Sequence, residues 1–495
     1  MKLHPHKKKY NLLIILIFLQ ACSVVTKPKN FTDKINKVET SLIHPVYIEG
    51  DSTWSIEKRM EHYGVPGVSI AVINNNEIEF TKSYGIMDKE SKSPITNSTL
   101  FQAGSISKSV AAYAALKMVE QSKIDIDENI NTYLKSWKVP ENEFTKAKKV
   151  TLKNILNHTG GTSVHGFLGY SPGLRLPTLL EILNGTPPAN SDAILVDQIP
   201  EESFRYSGGG YTIVQQMMID IYDQEFPMLM KEFVFKPLNM TNSTFDQFLQ
   251  DKELDIAATG YLPDGSTVKG KRFIYPEMAA AGLWTTAENL AKFVVDIQQT
   301  LNGNSNVVIS QPTAKEMLTP FMDDGGPALG IFISKPKNET YFFHNGWVQG
   351  FSSKFVAHKD KGYGVVVLTN SNHPEFISEI IRSVALTYQW DNYVTRFQKQ
   401  KLDPEEMENI VGRYKSDDEN ILEIYESDGQ LIRKKIGEKP TELVKVSDTS
   451  YVSRENGSEL IQFKMNPSTA NYDMNIRYPS GYLINILSKI KENEN

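Results

Sequence analysis

The sequence predicts an α+β fold, an antiparallel sheet flanked by helices with a helical subdomain, followed by a small all-β C-terminal domain. Three observations predict it. Two strand-like runs stand near the front of the chain, three more stand near residue 350, and mostly helical periods lie between them. From about Asp391 the texture changes to short strand-like runs separated by turns. A chain of 495 residues is too long for one ordinary core, so two domains are expected.

The elements follow in order. Lys7-Lys8-Lys9 precede the short apolar run Leu12–Leu19, which reads as a secretory signal and is too short for a comfortable membrane span. That run ends in Leu19-Gln20-Ala21-Cys22, which resembles a bacterial lipoprotein box. Residues 1–21 are thus expected to be a signal peptide, with Cys22 the lipidated first residue of an exported, membrane-anchored cell-envelope protein. Cys22 is the single cysteine, so internal disulfides and Cys-ligated metal sites are excluded. Residues 22–50 read as a polar tether. The net charge is −6, or −10 without the leader's four lysines, which gives nucleic acid nothing to bind.

The first domain is expected over residues 51–391. Val65–Ile73 and Glu77–Lys82, joined by Asn74-Asn75-Asn76, read as a β-hairpin. Tyr341–His344, Phe351–His358 and Tyr363–Thr369 read as three consecutive strands, and Phe376–Trp390 as a closing amphipathic helix. Residues 392–403 are a charged linker, and residues 404–495 carry short runs such as Leu422–Tyr425, Ser458–Phe463 and Tyr482–Leu487, spaced as in a small β-barrel.

The chemistry centres on Ser105-Ile106-Ser107-Lys108. An extended run ends at Gly104, and the alanine-rich, glycine-free stretch from Ser109 suits a buried helix. Residues three apart share a helix face, so a desolvated, neutral Lys108 could take the proton of Ser105 and activate it. The tetrad also occurs at Ser55-Lys58, Ser334-Lys337 and Ser488-Lys491. Taken alone, each copy is explained by an N-cap serine and a solvated lysine one turn on.

Three further places bear on the serine. Tyr206-Ser207-Gly208-Gly209-Gly210 offers a phenol on a loop where backbone can approach a ligand; it could relay a proton, or be a core tyrosine over a turn. His344-Asn345-Gly346-Trp347 ends a strand, where Gly346 lets the edge lie against a substrate and an N–H of Trp347 could meet an oxyanion. A strand histidine is as readily explained by packing. His158-Thr159-Gly160-Gly161 reads as a glycine C-cap closing the helical run from Leu152.

In that order, Ser-x-x-Lys, Tyr-Ser-Gly and His-Asn-Gly resemble the serine β-lactamase and penicillin-binding-protein-like family, in its branch of class C β-lactamases, D-stereospecific peptidases and esterases. The resemblance spans residues 50–390 and extends to Val65–Val72, Leu156–Gly161 and Ala281–Leu290. It implies a β-lactamase/transpeptidase-like fold with Ser105 as acylated nucleophile, Lys108 as its base and Tyr206 as proton shuttle. It also implies an oxyanion hole from the N–H groups of Ser105 and Trp347, with His344 and Gly346 in the third motif and no cofactor or metal. Two departures stand out. Gly208 replaces the asparagine that holds a substrate's acyl-amide group in class C β-lactamases, and His344 replaces their lysine, which weakens attraction for a carboxylate. Both suit an esterase or D-peptidase better than an antibiotic hydrolase. Residues 404–495 resemble the lipocalin-like domain that some relatives append.

Overall fold

A computed structural model describes residues 29–416, 421–435, 437–454, 456–477 and 483–490. The expected signal peptide and the expected lipidation site Cys22 lie outside these residues.

Much of the expected tether is part of the fold. Lys29–Thr40 is a helix, and β1 (Tyr47–Ile48) pairs in parallel with Arg396–Phe397 from the expected linker. The reason is legible afterwards: Phe31, Ile35, Val38 and Leu42 recur at helical spacing, and Val38 and Leu42 are buried against the closing helix. The helix Ile56–Tyr63 follows, and its Arg59 meets Glu379 of the closing helix at 2.5 and 2.6 Å, away from water.

β2 (Gly67–Asn74) and β3 (Glu77–Asp88) form the expected hairpin. Asn75 and Asn76 both have positive φ (55° and 60°), the backbone that matches a turn to the twist of its strands and that asparagine tolerates. β4 (Ser93–Pro94) edges the sheet, and β5 (Phe101–Gln102) pairs with β6 (Trp284–Thr285) beside it. β7 (Gly325–Pro327), β8 (Phe332–Ser334), β9 (Tyr341–Val348), β10 (Phe351–His358) and β11 (Gly364–Thr369) complete an eight-stranded antiparallel sheet ordered β4-β3-β2-β11-β10-β9-β8-β7. Strands from both ends of the domain therefore meet at the β2–β11 pair.

Both faces of the sheet are covered, so its central strands read as unbroken apolar runs. Val68, Ile70, Val365 and Val367 pack under the closing helix Pro374–Thr387. Ala71, Val366 and Leu368 face the helices Ile106–Glu120 and Ala287–Leu301. Ile106–Glu120 is apolar nearly all round because helices and sheet surround it.

β12 (Arg396–Phe397) is the partner of β1, so the expected linker is tied down by backbone pairing that its charged composition does not reveal. Then β13 (Gly412–Lys415), β14 (Ile421–Ser427), β15 (Gln430–Lys435), β16 (Thr441–Lys445), β17 (Tyr451–Ser453), β18 (Asn456–Asn466), β19 (Asn471–Arg477) and β20 (Leu483–Ile490) close into an antiparallel barrel. Closure through Arg413–Ile490 pairing removes the open edges of a sheet. Tyr414, Ile424, Leu431, Tyr451, Ile461 and Leu487 fill its interior. Val46 and Ile48 pack on Val444 and Val452, and Arg454 pairs with Asp51, so the segment before the first domain holds the barrel.

Candidate active site

The turn into the helix Ile106–Glu120 is fixed on three sides. Ala103 receives the hydroxyl of Ser353 on its carbonyl at 2.8 Å and gives its N–H to Leu283 at 2.8 Å. The Ser107 hydroxyl donates to the Gly104 carbonyl at 2.6 Å and accepts the Leu283 N–H at 2.9 Å. Gly104 has φ +53°, and a Cβ there would stand 2.8 Å from the Trp347 nitrogen, so only glycine lets this turn lie on β9.

Ser105 occupies the N-cap position of that helix, yet its side chain caps nothing. Lys108 Nζ lies 3.1 Å from its Oγ and donates to the Ala280 carbonyl at 2.8 Å. Lys108 is 2% exposed, and burial alone pushes its amine down to about 7. The other tetrads take the bland form: Ser55 accepts the Lys58 N–H as an ordinary N-cap, while Ser334 and Ser488 sit exposed on strands.

Tyr206 reaches the same spot from the loop before the helix Gly208–Tyr222. Its ring lies 4.9 Å from Lys108 Nζ. Burial pushes its phenol up to about 12 against a hydrogen bond to Ser105, so it stays protonated. His158 packs against it with ring centroids 4.3 Å apart and planes tilted by 32°, and His158 Nδ1 accepts the Ser207 N–H at 3.1 Å. Burial, then Lys108, holds His158 well below the ordinary imidazole range, so it is neutral. The glycine C-cap expected here is not formed. The helix Leu152–Leu156 ends on Asn157, and His158 itself takes the left-handed conformation at φ 61°. Sequence reasoning thus missed His158 as a support for Tyr206, and it missed His165, whose ring lies 4.9 Å from Tyr206 on another side. The available signal was a histidine inside a stretch that already carried the family resemblance.

β9 brings the third motif. β8 pairs with it only over Tyr341–Phe343, which leaves the far edge of His344–Val348 unpaired by β8 beside Ser105. A Cβ on Gly346 would stand 2.0 Å from the Ala103 carbonyl oxygen, so glycine is what allows the strand to touch the serine turn. His344 is 2% exposed; burial, then Lys108, pushes it down to about 3. A neutral His344 gives its Nδ1–H to the Asn345 carbonyl at 2.7 Å, and its buried Nε2 has no hydrogen-bond partner among the described residues. Ser105, Tyr206, His344, Gly346 and Trp347 line one cavity of about 410 Å³, together with His165, Phe332, Phe343 and Asn345. A larger hollow of about 620 Å³, lined from Leu176 to Met278, has carboxylates (Asp223, Glu225, Asp246) but no serine, threonine or cysteine among its lining residues.

The glycine run is explained differently from the expectation. Cβ atoms on Gly208, Gly209 and Gly210 would stand 3.1 Å from Phe167 Cε2, 2.6 Å from the Ser163 carbonyl oxygen and 3.0 Å from Thr162 Oγ1. The backbone approached so closely is the protein's own loop 162–167.

A serine paired with a buried amine at the head of an enclosed helix thus faces the strand edge that β8 leaves unpaired. The chain belongs to the beta-lactamase family: the family model described as Beta-lactamase matches residues 55–389. Protein flp of Staphylococcus aureus (strain N315) is 24% identical over 353 residues, covering 68% of this chain and 66% of flp. The putative penicillin-binding protein PbpX of Bacillus subtilis (strain 168) is 22% identical over 285 residues, 54% of this chain and 63% of PbpX. The chain therefore spans just under two thirds of the length of these curated relatives. Among solved structures, the octameric penicillin-binding protein homologue from Pyrococcus abyssi superposes with TM-score 0.56 at 19% identity, covering 88% of this chain and 98% of that one. The D-alanine carboxypeptidase AmpC from Burkholderia cenocepacia gives 0.53 at 20% identity, covering 72% and 99%. Both share the fold.

Proposed function

We propose that this protein is a serine hydrolase, lipid-anchored at the cell envelope through Cys22, that acts through a Ser105 acyl-enzyme on an ester or on an amide such as a D-amino-acid peptide. The observation that carries this reading is the 3.1 Å contact between Ser105 Oγ and a lysine amine that burial keeps substantially neutral at pH 7. Ser105 Oγ attacks the substrate carbonyl as its proton passes to Lys108 Nζ, and the oxyanion is received by the N–H groups of Ser105 and Trp347. Tyr206, protonated and touching Ser105, passes its proton to the leaving group as the scissile bond breaks. It takes in return the proton that Lys108 received, so in net the serine's proton ends on the leaving group and the amine is neutral again for water. Water then releases the acid and regenerates Ser105.

β-Lactamase or D,D-carboxypeptidase activity is the nearer alternative. It is disfavoured by a neutral His344 where a cation would hold a carboxylate, and by a Gly208 that offers no amide. The distant alternative is a silent binding protein for cell-wall fragments. Burying an unpaired lysine costs several kcal/mol, and such a protein would gain nothing from it.

The test is labelling of purified protein with a fluorophosphonate and a fluorescent penicillin, with Ser105→Ala as control. A Ser105-dependent adduct is expected with the fluorophosphonate. No adduct with either probe would sink the hydrolase reading, and slow turnover of a penicillin adduct would favour the peptidase. Loss of acyl-chain incorporation in Cys22→Ala is expected from the anchor.

A further inference from the structure

The helix Gly208–Tyr222 stops at Asp223, which takes the left-handed conformation at φ 52°, and Glu225 leads into the helix Phe226–Met230. That corner and the residues Ile274, Pro276 and Met278 line the hollow of about 620 Å³, which shares no lining residue with the Ser105 cavity.

Its buried lining is apolar. Pro177, Phe226 and Ile274 are buried, and Leu179 and Ile219 are partly so. The two glutamines beside them have committed their amides to backbone. Gln215 donates to the Pro276 carbonyl at 3.0 Å and accepts the Ala279 N–H at 2.9 Å. Gln247 donates to the Gly282 carbonyl at 2.7 Å and accepts the Tyr275 N–H at 2.9 Å. A ligand body seated there meets hydrocarbon.

The exposed lining carries charge of one sign. Asp223, Glu225 and Asp246 stand there with the neutral amide of Gln224. Among the described residues no lysine, arginine or histidine lines the hollow, and none of the three carboxylates forms an ion pair. Arg175, next to the wall residue Leu176, is held by Glu181 at 2.6 Å. Phe248, 69% exposed, adds a bare aromatic face to the same rim. An enclosure of this size, apolar within and polar at a few points, is the ordinary form of a small-molecule site. The carboxylates fix the sign of its ligand, because they repel an anion, while a cation gains their attraction and a ring face.

We propose that this hollow is a binding site for a small amphiphilic amine, with its apolar body against Phe226 and Ile274 and its ammonium among Asp223, Glu225 and Asp246 beside Phe248. The site is separate from Ser105 and does not depend on the hydrolase reading.

The experiment is equilibrium dialysis of the full chain against 4-phenylbutylamine, 4-phenylbutyrate and 4-phenylbutanol, which share a body and differ in charge. The amine should bind saturably, at least about tenfold tighter than the acid at low salt, and weaken as salt is added. Glu225→Gln with Asp246→Asn alters only exposed side chains, so the fold holds, and the amine should fall to within about threefold of the alcohol. Hydrogen exchange with bound amine should slow at residues 215–226 and 275–282, which Gln215 and Gln247 tie together. Equal binding of amine and acid, or wild-type affinity in the double variant, overturns the proposal. So does an absence of saturable binding. Slowed exchange confined to β9 and residues 163–168 would place the amine in the Ser105 cavity and overturn it as well.

Discussion

The His158 and Tyr206 rings meet at a 32° tilt, 4.3 Å between centroids, and the same imidazole accepts the N–H of the residue after the tyrosine. One side chain thus fixes both the ring and the backbone that carries it. His158→Phe keeps a ring but leaves the buried Ser207 N–H unpaired, at a cost of about 1–3 kcal/mol in stability. Fluorophosphonate labelling should slow by roughly tenfold or more as the phenol loses its setting. Unchanged labelling kinetics in a folded variant would show that Tyr206 needs no such support.

The pH dependence follows from Lys108. Its amine is pushed down to about 7, so the neutral, proton-accepting form is gained as pH rises through 7. Acylation should climb through that value to a plateau, and at one unit below it stand about tenfold lower. His344, pushed down to about 3, stays neutral across the range and should add no second inflection between pH 5 and 9. A pH–rate profile of labelling checks both statements. A rate that falls as pH rises through 7 would exclude lysine as the base.

Stability should move the other way from activity at the same residue. In the unfolded chain the lysine keeps its ordinary value of 10.5, while in the fold it is lowered to about 7. Between those values the unfolded state holds a proton that the folded state lacks, so this residue costs the fold more as pH falls, in full below 7. Lys108→Met should therefore abolish acylation by about a thousandfold or more yet raise the melting temperature, with the gain shrinking toward pH 10. Ser55→Ala, Ser334→Ala and Ser488→Ala should leave acylation intact. Loss of labelling in any of those three would reassign the nucleophile.

The sheet and the barrel were legible because they rest on local pattern, β-branched runs and an asparagine turn. The Ser105–Lys108–Tyr206–His344 grouping was legible only through the family resemblance of the ordered motifs, each of which alone had a bland explanation. What stayed hidden depends on contacts across long separations. Lys29–Thr40 has a helical stripe, but its reason to exist is a closing helix more than 300 residues away. Arg396–Phe397 pairs through backbone, which composition does not report. Gly208–Gly210 signalled close approach correctly, yet only the fold shows that loop 162–167, and not a ligand, is what approaches. The imidazole of His158 was concealed by a glycine pair that imitates a C-cap.

Gly346 offers the sharpest test of how β9 and the serine turn are joined. A Cβ there would lie 2.0 Å from the Ala103 carbonyl oxygen and 2.1 Å from Ser353 Oγ, and both atoms belong to one hydrogen bond of 2.8 Å. No rotamer relieves the first contact, because the carbonyl is backbone and the residues after it form the turn into Ser105. Gly346→Ala must therefore push β9 away from Ala103 and break the Ser353 bond. Overpacking of this kind costs about 1–3 kcal/mol, and the broken bond adds about 1 kcal/mol. The larger effect should be kinetic. A shift of even an ångström would move the Trp347 N–H away from the oxyanion, and labelling should fall by about a hundredfold while Lys108, held through Ala280, keeps its pH profile near 7. A variant that labels at the wild-type rate would mean that β9 does not supply the oxyanion donor.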